Sequence, residues 1–209
     1  MAGRKPEPGR TGFTYADYEQ WPEDEHWELL DGEAFGMVPG PGTPHQEVFN
    51  QLFFQLMTFF SGGPCRIFTD TYEFRLAKPG EKESEITDVV KPDLAVVCDP
   101  TRYDDRCGKG APDFVIEVLS PSTASRDHIR KRRVYERHGV REFWLVDPVG
   151  RLVTVYRLVK RSFGRVEILD CESLSLKVAA FPGLVIDFGK VFPPRPPVVR
   201  EGPAIYRTT

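Results

Sequence analysis

Cysteine is scarce in this chain, and its placement carries no metal signature. Cys65, Cys98, Cys107 and Cys171 are scattered without C-x-x-C spacing, which excludes the usual zinc-site patterns and a dense disulfide framework. Cys65 and Cys98 lie in apolar stretches, so the expectation is free, buried thiols in a reducing cytoplasm. No apolar run approaches the ~20 residues needed to span a bilayer. The basic residues of "MAGRKPEPGRTG" have no apolar segment after them, so a secretory signal is not expected. A large excess of one charge is missing too. The net charge of -3 argues against a strongly basic nucleic-acid coat protein while leaving room for a local basic patch. No internal repeat is present.

What the chain does have is enough apolar material for one sizeable core: 209 residues, 40% of them hydrophobic. Residues 1–12 read as a disordered arm, 13–191 as one domain and 192–209, "FPPRPPVVREGPAIYRTT", as a Pro-rich tail. "FTYADYEQW" predicts a short helix capped by Thr14 and closed by Pro22. "HWELLDGEAFGMV" predicts two strands around the turn pair Asp31-Gly32. In "TPHQEVFNQLFFQLMTFFSGG", Val48, Leu52, Leu56 and Phe59 follow the helical period, and Gly62-Gly63 ends the run. Strands are expected at "CRIFTD", "YEFRLA", "VKPDLAVVCD", "DFVIEVL", "REFWLVD", "LVTVYRL" and "RVEILD". A second helix is expected over "SPSTASRDHIRKRRVYERHG", with Ser caps and Gly139 at its end. The class is mixed α/β, a mixed sheet flanked by helices.

One residue in this pattern is out of place. Glu117 stands inside "FVIEVL", and an ionised carboxylate buried by itself costs several kcal/mol, so it needs a cation, a metal or a proton. Asp113 shares its strand face but lies four residues, roughly 13 Å, away, too far for both to bind one magnesium at ~2.1 Å. Asp93 escapes that limit, because "LAVVC" can lie beside the Glu117 strand. In the second helix, Arg126, Arg130, Arg133 and Arg137 form one basic stripe. Lys131 falls on a different stripe with Asp127, Val134, Tyr135 and His138. Val134 and Tyr135 are the side chains suited to packing on the sheet, so Lys131 is expected to point inward.

Two carboxylates and an inward ammonium suit metal-assisted phosphodiester hydrolysis. They equally suit a buried ion pair that fixes the helix on the sheet, since ion-pair networks imitate active sites. The arginine stripe is either a solvated face or a phosphate-contacting surface giving salt-dependent, sequence-blind affinity. His45, in the first turn of the long helix, is either a surface residue or one lining a substrate cleft.

"KPD" at 91–93 followed by "IEVLS" at 116–120 resembles the PD-(D/E)XK motif of restriction-endonuclease-like folds. The ordered series "WELLDGE", "TPHQEV", "KPD", "FVIEVLSPST", "RDHIRKRRVYERHGV" and "EFWLVDP" resembles, more closely, the Uma-type bacterial family of restriction-endonuclease-like proteins, over roughly residues 13 to 190. The resemblance implies a central mixed β-sheet flanked by helices and a magnesium- or manganese-dependent nuclease acting on DNA as a homodimer in the cytoplasm. It implies metal ligation by Asp93, Glu117 and the peptide carbonyl of Val118, with Glu28 of "WELLDGE" as an added acidic residue. In the superfamily the lysine stands two residues after the glutamate, where this chain has Leu119. Either Lys131 supplies the ammonium from the helix, or the fold persists as a non-catalytic nucleic-acid-binding or protein-interaction module.

Overall fold

The computed structural model describes residues 5–7, 10–22, 25–36, 42–120, 127–171 and 174–192. Arg126 and residues 193–209 of the expected tail lie outside these residues, while Phe192, expected to begin that tail, is buried in the core. Two sheets account for most of the architecture. A hairpin of β1 (Trp27–Leu30) and β2 (Glu33–Gly36) joins β4 (Glu73–Arg75), β5 (Val89–Val90) and β7 (Cys107–Lys109) in the order β2-β1-β5-β4-β7. The hairpin turn is Asp31-Gly32, as the sequence predicts, with φ of 53° and 72° at the two central positions. Positive φ at both is what a tight two-residue hairpin needs.

The second sheet has seven strands. Its main order is β11 (Ser162–Phe163), β10 (Leu152–Val159), β9 (Glu142–Asp147), β8 (Phe114–Val118), β6 (Leu94–Val97) and β3 (Arg66–Thr69), with β12 (Glu167–Asp170) also pairing β10. β8 and β9 run parallel while the other neighbours in this sheet are antiparallel. The parallel pair needs a crossover. It is supplied by a π-helical turn, Asp127–Lys131, running into α3 (Arg132–His138), which ends on left-handed Gly139.

One expected element divides in two. "VKPDLAVVCD" reads as a single strand, but β5 ends at Val90 and β6 starts at Leu94, and the two lie in different sheets. Pro92 has no N–H to give to a ladder, so the sheet breaks there. Lys91-Pro92-Asp93 is therefore the step by which the chain crosses from one sheet to the other.

Each sheet face has its own partner. The α2 helix (Thr43–Phe60) lays Val48, Leu52 and Leu56 against Phe114, Ile116 and Val118 of β8. On the opposite face, Val115 packs with Val134 and Tyr135 of α3 and with Leu30 and Phe74 of the five-stranded sheet. Phe74 sits so close to its register partner Gly108 that a Cβ there would lie 2.1 Å from the ring, so only glycine fits. The short α1 (Tyr15–Tyr18) covers the outer face of the five-stranded sheet through Phe13, Tyr15 and Trp21 on Leu29 and Val89. A small hairpin, β13 (Ser175–Lys177) and β14 (Val185–Asp187), and α4 (Phe188–Val191) complete the α2 side. Among the described residues, no helix is long and apolar enough to cross a membrane.

The cysteine expectation needs correction. Cys65 and Cys98 form a disulfide, while Cys107 and Cys171 are free and buried. The register explains the pairing. Arg66 faces Val97 across β3 and β6, so the residues just beyond them meet, although 33 positions apart in sequence. Of the four thiols expected to be free, only Cys107 and Cys171 are.

Candidate active site

The break at Pro92 and the register of β6 against β8 together build the site. Leu94 faces Ile116, so the next antiparallel step sets Asp93 across from Glu117. The Asp93 backbone N–H points to Glu117 Oε2 at 3.4 Å, and the Val118 N–H donates to Asp93 Oδ2 at 2.7 Å. Asp93 and Glu117 are thus clamped by each other's strands. Asp113, the rejected competitor, is engaged elsewhere by Arg102 and the Cys98 N–H.

Lys131 arrives from the other side, at the joint between the π-helical turn and α3. Its ammonium is 2.8 Å from Glu117 Oε1 and 2.9 Å from Glu28 Oε1. The three side chains are almost fully withdrawn from water, at 3%, 2% and 0% exposure for Glu117, Lys131 and Glu28. Val134 and Tyr135 are buried as expected, which is why the neighbouring stripe position points inward. Local unwinding of the helix where it delivers a functional side chain is a frequent use of π-turns. Leu119 packs partly into the core instead, so the ammonium beside Glu117 comes from the helix and not from the strand.

Two contributors were invisible as site residues in the sequence. Tyr135, read as packing, also donates its hydroxyl to Glu117 Oε1 at 2.7 Å. Asp88, read as part of a charged loop, is completely buried and accepts from His138 Nε2 at 2.9 Å, from Arg137 at 2.8 Å and from the Asp31 N–H at 2.8 Å. It ties the end of α3 to the β1–β2 turn and so holds Lys131 in register with Glu28. Burial by itself would raise the Asp88 carboxyl; the His138 hydrogen bond, the Asp31 N–H and the Arg137 charge outweigh it and hold the carboxyl below its ordinary range. A carboxylate depressed in the folded state adds stability above its unfolded value, near pH 4, and that stability is lost as pH falls through the folded value. Asp88→Asn is therefore expected to cost about 1.5–3 kcal/mol at pH 7, the scale of hydrogen bonds to charged groups. The gap from the parent should close on acidification below about pH 4. Urea unfolding at pH 7 and pH 3 checks this, and an equal gap at both would refute it.

His45 occupies the first turn of α2, 8% exposed, with Nε2 3.3 Å from Asp93 Oδ2 and its ring stacked on Phe49. Its Nδ1 is buried without a hydrogen-bond partner among the described residues. The arginine stripe divides. Arg130 pairs with Glu33 and lies over Phe35, and Arg137 pairs with Asp31 and Asp88. Arg133 is exposed. The helix face that reads as solvated thus abuts the β1–β2 hairpin, which takes up two of its guanidinium groups.

The donor set fits a hard divalent cation. Asp93 Oδ1 accepts no hydrogen bond from a described residue, and two carboxylates, Glu117 and Glu28, share one lysine ammonium beside it. No group of three His, Cys, Asp or Glu side chains among the described residues could hold a metal by itself.

Comparison with known proteins bears on the family and the fold. A family model described as "Uma2: Putative restriction endonuclease" matches residues 15–189. An uncharacterized protein of Synechocystis sp. is 29% identical over 147 residues, covering 67% of this chain and 71% of that protein. A crystal structure of a putative nuclease belonging to DUF820 from Anabaena variabilis superposes with a TM-score of 0.69. It covers 86% of this chain and 97% of that one at 20% identity. The likeness establishes the restriction-endonuclease-like fold.

Proposed function

We propose that this chain, which belongs to the Uma2 family, is a divalent-metal-dependent nuclease hydrolysing phosphodiester bonds of DNA. The observation that carries the reading is the meeting of Asp93 and Glu117 across β6 and β8, with the buried Lys131 ammonium 2.8 Å from Glu117. Asp93, Glu117 and the carbonyl of Val118 would hold Mg²⁺ or Mn²⁺. When bound, the ion polarises the phosphate and lowers the pKa of the attacking water. The chain's own groups do the positioning. Tyr135 and Lys131 fix one oxygen of Glu117, which leaves Oε2 on the Asp93 side. The Val118 N–H and His45 fix one oxygen of Asp93. Lys131 adds positive potential where charge develops on the phosphate, and Glu28 keeps that ammonium in place. Arg133, with Arg130 and Arg137 on the same helix, supplies phosphate contacts.

The test is supercoiled plasmid with Mg²⁺ or Mn²⁺, run beside melting curves with and without the ion. Cleavage and an ion-dependent rise in Tm, both lost in Asp93→Asn, support the reading; occupancy at 100 times Kd stabilises by about 2.7 kcal/mol. Cleavage that persists unchanged in Asp93→Asn and Glu117→Gln would refute the site.

One observation favours a second reading, a non-catalytic nucleic-acid-binding module. Glu117 Oε1 already accepts from both Lys131 and Tyr135, as a structural clamp would. Salt-sensitive DNA binding without cleavage would decide for it. As for assembly, α2 turns Phe54, Met57 and Phe59 to solvent, an apolar strip suited to a homodimer seam. Phe54→Glu is expected to convert a dimer to a monomer by light scattering; an unchanged mass would remove α2 from the interface.

A further inference from the structure

The five-stranded sheet has a second face, turned away from Glu117. Side chains alternate along β1, so Glu28 and Leu30 look toward α3 while Trp27 and Leu29 look outward. On that outer face lies a pocket of about 310 Å³ walled by Tyr15, Tyr18, Trp21 and Trp27. The volume is at the small end of the range for small-molecule sites. The rings brace one another: Tyr18 and Trp21 centroids are 5.1 Å apart, Trp21 and Trp27 5.6 Å. The Tyr18 hydroxyl donates to the Trp27 carbonyl at 3.1 Å. Burial first, and the Glu73 charge second, push the Tyr15 and Tyr18 phenols up, so both remain neutral in ordinary buffers.

The pocket's charges are of two kinds. Glu73 is bound by Arg75, and Glu25 by Lys5. Lys91 and Arg106 also line the pocket, and neither makes an ion pair with a described residue. The carboxylate beside them without an ion pair is Glu19. Tyr15 and Trp21 are themselves buried, with the Arg75 guanidinium 4.0 Å over the Tyr15 ring, so the ring surface left to a ligand is that of half-buried Tyr18 and Trp27. With the two cations beside them, these rings suit a flat aromatic ring carrying an anionic group.

We propose that this pocket binds a nucleotide, with its base against Tyr18 and Trp27 and its phosphate on Lys91 and Arg106. The site is separate from the carboxylate cluster and does not depend on cleavage there. It sits directly behind that cluster all the same. Trp27 adjoins Glu28 in β1, and the Lys91 N–H donates to Glu28 Oε1 at 2.9 Å. The same chemistry is offered by a free mononucleotide and by an unpaired nucleotide of a single strand.

Trp21 and Trp27 line the pocket while Trp144 is fully buried in the core, so tryptophan fluorescence reports on this site. Titration with adenosine 5′-monophosphate, without divalent metal, is expected to give saturable quenching. Base stacking should make it bind about 5- to 150-fold tighter than ribose 5-phosphate. Arg106→Ala, at an exposed position that leaves folding intact, should weaken binding at least fivefold, and Lys91→Ala should weaken it further. A short oligothymidylate binding more tightly than the monophosphate assigns the site to a strand, and the reverse order to a free nucleotide. Affinity equal to that of ribose 5-phosphate, or unchanged in the Arg106→Ala, Lys91→Ala double variant, would overturn the proposal. Glu117→Gln separates the two readings. It removes cleavage if the nuclease assignment holds, and must leave nucleotide quenching intact; quenching that disappears with it would place the ligand at the carboxylates instead.

Discussion

Glu117→Gln is expected to lower DNA cleavage by about 10²–10³-fold or more while barely changing the fold. The magnitude follows from the several kcal/mol of charge stabilisation a bound metal supplies, at about 1.4 kcal/mol per factor of ten. The substitution keeps the side-chain shape, and the amide oxygen can still accept from Lys131 and Tyr135, which now bond Oε1 at 2.8 and 2.7 Å. What it removes is the anionic character that a hard cation needs, at the oxygen facing Asp93. The informative comparison is therefore turnover against melting temperature in one protein. Turnover within threefold of the parent, with the fold intact, would remove Glu117 from the chemistry.

Lys131→Met acts in the opposite sense, on stability before turnover. The ammonium is 2% exposed and lies between Glu117 and Glu28. Deleting it leaves two carboxylates buried against each other, and removing one partner from a buried ion pair typically costs about 3–5 kcal/mol. At about 2–4 °C per kcal/mol for a domain of this size, Tm should drop visibly. Adding Glu28→Gln to Lys131→Met should recover part of the loss, because the pair shares one interaction and their costs do not add. A single variant within 1 kcal/mol of the parent, or strict additivity, would mean that Lys131 is solvated and not clamped.

Much of this arrangement is legible in the sequence. The mismatch of Glu117 with its apolar neighbours, the Pro-Asp pair before a second apolar run and the stripe position of Lys131 are local facts of spacing. They carried through because strand register and helical period are themselves local. Tyr135 and Asp88 carry no local signal in the sequence, for a shared reason. A buried tyrosine packs with or without a partner for its hydroxyl, and Asp88 looked like the end of "EKESEITD", a solvated loop. Only the docking of α3 onto the β1–β2 turn gives Asp88 its histidine and arginine. The same docking explains why Arg130 and Arg137, outward on an isolated helix, are engaged by Glu33, Asp31 and Asp88.

By itself the sequence determined most of the longer elements, the Asp31-Gly32 turn and the buried face of α2 as far as Leu56, because these depend on neighbours within a few positions. Beyond Leu56 the stripe continues through Phe60, while Phe59, expected on it, is exposed. The tertiary structure alone decided that residues 89–97 serve two sheets, that Cys65 meets Cys98 and that an aromatic pocket backs onto the acidic cluster. Those outcomes depend on which strands lie side by side. Pairing between segments dozens of residues apart is set by the packing of whole faces, which no local pattern encodes.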